Sequence, residues 1–195
     1  MRTDIIAVTN TGDHMQTVLR EAEKTAEYKG LSEQSSMQLR LLTEEMMGLM
    51  RSITGEKKGE FWIEDQDGVF QLHLKVETVM DGQRRKQLIA VSSEGKNEAA
   101  QGLMGKIRAF FEPSGDTPTF AGLFMPGSSP QMYGSLTWSM EEYRENVAQM
   151  RKDGREGAEE AWDELEKSVV AHVADEVKVS IRGTNVEITI YKKLA

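Results

Sequence analysis

The sequence predicts an α+β domain: a two-layer sandwich with a mixed, mostly antiparallel sheet and helices on one of its faces. Three observations predict it. Residues 32–54, SEQSSMQLRLLTEEMMGLMRSIT, keep an apolar period of three and four. Residues 61–76 and 177–190 instead alternate apolar and polar on either side of short turns. The elements run strand, two helices, several strands, helices, strands, with no repeated unit of fixed length.

The first element is Asp4 to Thr9, DIIAVT, short, apolar and β-branched, hence a strand that the polar TNTGD ends. From Asp13 to Lys29, Met15, Val18, Leu19, Ala22 and Ala26 keep a helical period, and Gly30 offers a left-handed stop. Ser32 is a plausible N-cap for the helix that organises the chain, in which Gln38, Leu39, Leu42, Glu45, Met46, Leu49, Met50 and Ile53 share one side. At about 100° per residue, Leu42, Met46, Leu49 and Ile53 centre the apolar stripe and Glu45 lies about 60° off that centre. Glu45 is therefore a rim residue, whereas Glu44 faces the solvated side, so the two neighbouring carboxylates cannot act at one spot. The commonest use of such a rim acid is an ion pair with a nearby Lys or Arg.

After the polar break Gly55 to Gly59, Phe61 and Ile63 share a face, Asp67-Gly68 supplies a turn, and Phe70, Leu72, Leu74 and Val76 share a face of the returning strand. Gln71, His73, Lys75 and Glu77 then point to the opposite, solvated or lightly covered face. Asp81-Gly82 marks another turn, Gln87 to Ser92 a short strand, and Gly95 to Glu112 a helix that Pro113 closes. Residues 113–138 hold all four prolines of the chain and no clear period. Phe120, Leu123, Phe124, Met125, Met132, Tyr133 and Trp138 make this stretch too apolar for a disordered linker, so it is expected to be a loop or lid insertion that folds back or meets a partner. Ser139 and Glu142 form a capping box for a helix to Lys152. A last helix, about Gly157 to Ala174, buries Trp162, Leu165, Val169 and Val173. A terminal hairpin closes the chain, with Val177, Val179 and Ile181 facing Val186, Ile188 and Ile190 across a turn at Gly183-Thr184.

Composition narrows the function. A chain of 195 residues suits a single domain, residues 1–195, that buries about 70% of its unfolded surface. With 38% hydrophobic and 29% charged residues it reads as an ordinary globular protein, with no apolar run of membrane-spanning length and no signal peptide at MRTDIIAVTNTGDHM, which leads us to expect a cytoplasmic protein. Zero cysteines exclude disulfides, thiolate chemistry and sulfur-ligated metals. A net charge of −8 argues against nucleic acid as a partner, since phosphate binding needs clustered Lys and Arg. The Gln83-Arg84-Arg85-Lys86 run is too short to change that. The twelve Met residues suit an adaptable core or a protein-contact surface. His14, His73 and His172 are dispersed without metal-ligand spacing, and no nucleophile elbow, Walker or dinucleotide fingerprint is present.

The block from Met15 to Met50, the hairpin after it, and the closing segment from Ser168 to Lys193 together resemble the GHKL (Bergerat-fold) ATPases, most nearly the anti-sigma-factor serine kinases and histidine-kinase ATPase domains. The family has a helix bearing Glu-Glu, an Asn four residues after the second Glu, an Asp-x-Gly-x-Gly box that reads adenine after a strand, and a closing hairpin with a Gly-Thr-x-Val turn. Glu44-Glu45 matches the acidic pair, and Gly183-Thr184-Asn185-Val186 the closing turn. The resemblance implies a nucleotide cleft lined by Glu45, Leu49, Glu77, Asp81 and Gly82, with Glu45 as base or water-positioner.

Departures from the pattern point away from ordinary chemistry in that cleft. Leu49 stands where the family places Asn, and a hard cation needs oxygen ligands, so no metal site is expected. Val76 to Gln83 contains a single Asp-Gly, Asp81-Gly82, which turn chemistry explains. Where the family holds phosphates at a helix N-terminus, this chain has Glu159 and Glu160. A like charge at about 5 Å costs about 0.8 kcal/mol in water and about 3 kcal/mol at an effective dielectric near 20. The expectation is a degenerate GHKL-fold regulatory module without ATP or magnesium, working through a protein partner of sigma-factor or signalling type, with a homodimer as a further option. The alternative is an active ATP-dependent kinase with relocated ligands, in which Glu77 or Asp81 reads adenine.

Overall fold

The structure, a computed structural model, describes residues 1–52, 57–77, 136–182 and 184–195. They form β1 (Ile6–Thr9), α1 (Met15–Lys29), α2 (Glu33–Ser52), β2 (Lys58–Gln66), β3 (Val69–Glu77), β4 (Leu136–Ser139), α3 (Met140–Lys152), α4 (Ala158–Lys167), α5 (Val169–Val173), β5 (Glu176–Arg182) and β6 (Asn185–Lys193). The six strands make one sheet in the order β1-β2-β3-β6-β5-β4, and every described pairing is antiparallel. The α+β sandwich expected from the sequence is therefore present, with the mixed component of the sheet absent among the described strands.

Alternation decides which side of the sheet is covered. Phe61, Leu74, Ile188, Val179 and Trp138 form one cross-strand row, and Ile63, Leu72, Ile190 and Val177 the next. Both rows join one buried core with Val18 and Ala22 of α1 and Leu39, Leu42, Met46 and Met50 of α2. Each such Leu or Met contributes about 2 kcal/mol by leaving water. The organising helix thus lies on the sheet through the stripe its period marked, while Ile53, the last residue of that stripe, lies outside the described residues. Gly59 is needed where β2 meets β3, because a Cβ there would come within 2.9 Å of the Lys75 carbonyl oxygen.

The caps explain where the helices begin and end. α1 stops at Gly30 in the left-handed region, φ 65°. Ser32 Oγ accepts from the Ser35 amide at 3.2 Å, as an N-cap should. The Ser139 box is half formed: Ser139 Oγ accepts from the Glu142 amide at 3.3 Å. Glu176 on β5 satisfies other donors of that first turn: its Oε1 accepts from the amides of Met140 at 3.0 Å and Glu141 at 3.3 Å while its Oε2 accepts from Ser139 Oγ at 3.1 Å.

Two expected elements differ. The single helix from Gly157 to Ala174 is two, α4 and α5, because Ser168 turns extended and caps α5 through the Ala171 amide at 3.3 Å. The break shifts the helical phase, so Val170 is buried, Val169 is 42% exposed and Val173 is only partly buried; Trp162, ahead of the break in α4, is also only partly buried. The end of the apolar 113–138 stretch is also not loop: Leu136 to Ser139 is the edge strand β4, with Trp138 in the core. The rest of that stretch lies outside the described residues, as do the Asp81-Gly82 turn, the 87–92 strand and the 95–112 helix.

Candidate functional site

The registers place the end of β1, the start of β2, the end of β3, the start of β4 and the β5–β6 turn at one end of the sandwich. α2 finishes there too, with Arg51 against Gly12 of the β1–α1 loop. Of the residues that the resemblance assigns to a nucleotide cleft, Leu49 near the end of α2 and Glu77 at the end of β3 lie towards this end.

Leu49 is 5% exposed and packs in the core. A buried leucine offers a cation no oxygen, so the position contributes packing. Glu45 is half-buried at the rim of the apolar stripe and is not held in an ion pair by a described residue. The ion pair belongs to its neighbour: Glu44 Oε1 lies 3.2 Å from Arg40 Nε, and Arg40 also binds Glu23 of α1, which clasps the two helices on their solvated side. Glu77 is exposed on the outer face of the sheet, the face opposite the helices. The sheet therefore stands between Glu77 and Glu45, and the fold does not bring them together. Asp81 and Gly82 lie outside the described residues. At the start of α4, Glu159 is held by Arg151, with Oε1 3.0 Å from Nε and Oε2 3.0 Å from Nη2. The helix's own acids and their arginine thus occupy its first turn. Among the described residues no three or more His, Asp or Glu side chains are grouped as a metal would require.

The polar feature that residue patterning missed lies on the outer face. His73, expected to be solvated or lightly covered, is 8% exposed because Trp62, its cross-strand neighbour, stacks on it with ring centroids 4.6 Å apart and planes 3° from parallel. The Arg2 guanidinium lies over the Trp62 ring, 5.2 Å from its centroid. His73 Nδ1 is 3.1 Å from Glu187 Oε1 and 3.2 Å from Thr189 Oγ1, both on β6. The hydrogen bond from His73 holds the Glu187 carboxyl below the ordinary carboxylate range, against burial that raises it. Both oxygens meet the same ring nitrogen, and Nε2 is buried with no hydrogen-bond partner among the described residues. A relay that activates a hydroxyl needs its acid and its nucleophile on opposite nitrogens, so Thr189, His73 and Glu187 are not arranged as a catalytic triad. The other histidines are exposed: His14 precedes α1, and His172 Nδ1 lies 3.1 Å from the Ser168 carbonyl oxygen.

The opposite end of the sandwich is built from paired charge. Asp65, at the end of β2, accepts from Lys29 Nζ at 2.5 Å and from the Gly68 amide at 2.9 Å. Burial pushes the Asp65 carboxyl up, but these two hydrogen bonds and the Lys29 charge more than offset it and hold it below the ordinary range. The same contact raises Lys29 above its usual value. Asp175 repeats the arrangement, accepting from Lys192 Nζ at 2.8 Å and the Lys193 amide at 2.7 Å, and is likewise lowered against the effect of its burial.

No described helix is long and apolar enough to cross a membrane. Comparison with protein-family models gives no match, and comparison with curated proteins gives none.

Proposed function

We propose that the chain is a regulatory binding module on a divergent GHKL-like frame, which has given up ordinary Mg-ATP chemistry and works in the cytoplasm through a protein partner of signalling type. The observation that carries this reading is the burial of Leu49 in the hydrophobic core, at the position where the resemblance calls for an oxygen ligand. Glu159 in its grip with Arg151, and Glu77 on the far side of the sheet from Glu45, support it further. The frame itself supports the kinship: a strand, two helices and a hairpin, then helices and a closing hairpin, joined in one sheet. Kinship of fold does not fix function, so the regulatory role rests on analogy with the family.

Titration of the intact chain with a fluorescent ATP analogue, with and without magnesium, tests the reading. The expected result is no saturable binding at micromolar nucleotide. Saturable, magnesium-dependent binding that Glu45→Gln abolishes would reverse the conclusion in favour of the active-kinase alternative.

A further inference from the structure

We draw no further inference here: the strongest candidate, the Trp62, His73, Glu187 and Thr189 side-chain cluster on the outer face of the sheet, carries nothing because both polar partners meet the same ring nitrogen of His73 and nothing in the structure shows what would meet the other, buried one.

Discussion

The two ends of the sandwich treat their carboxylates in opposite ways. At the end where β2 turns into β3, Asp65 and Asp175 are each held by a lysine and a backbone amide, and their affinity for protons is lowered. At the end where α2 finishes, Glu45 is half-buried and Glu77 exposed, and neither side chain is held in an ion pair by a described residue. The difference teaches that acid content alone does not mark a site. Asp65 is the more buried acid and serves structure; Glu45 has no such anchor among the described residues, and the leucine one turn further on supplies no second oxygen.

Putting an oxygen where Leu49 stands is the sharpest way to break the contrast. Leu49→Asn should cost about 3 kcal/mol in a denaturant titration, from lost burial plus a buried amide, without creating magnesium-dependent nucleotide binding. A variant that keeps wild-type stability and binds nucleotide would show an open cleft rather than a packed one. At the opposite end, Asp65→Ala should cost about 2 kcal/mol, because the Gly68 amide and the Lys29 ammonium lose their acceptor. An unchanged denaturation midpoint would mean that water replaces the carboxylate there.

Acid should weaken the fold through its paired carboxylates. Asp65, Asp175 and Glu187 have folded values below their unfolded ones, so their contribution is complete above the unfolded carboxylate range and is lost as pH falls through the lowered folded values. Melting temperature should hold nearly level from about pH 7 to about pH 5 and fall below about pH 4. Asp65→Asn should make that fall shallower; an identical slope would remove Asp65 from the linkage. Lys29 works in the other sense: its folded value is raised, so its share persists below the unfolded lysine value and is lost as pH climbs through the raised one. The smallest effect concerns Gly48, exposed within α2 and one turn from Glu45, where an added Cβ meets nothing within 4 Å. Gly48→Ala should stabilise the fold by about 1 kcal/mol through helix propensity. Destabilisation, read in the same denaturant experiment, would show that something approaches this face closely.

Much of the frame was legible because its signals are local. The α2 stripe, the Gly30 stop, the Ser32 cap and both hairpins follow from residues within a few positions of one another. Alternation along β3 even placed Glu77 on the face away from the helices. The missed features depend on partners distant in sequence or on a break that periodicity bridges. Val169 and Val173 continue the pattern of α4 across Ser168, so apolar spacing could not show the shift in phase. His73 reads as solvated until the register sets Trp62 beside it. Leu49 was legible as a position without oxygen, but its packing needed the sheet beneath it.

Glu176 belongs among these long-range partners, and its position has a consequence for how the domain comes apart. The first turn of α3 is satisfied by a carboxylate that reaches it only when β5 is in place, since Glu176 opens that strand. Helix and strand should therefore lose amide-exchange protection together, as one cooperative unit, rather than fraying separately from their own ends.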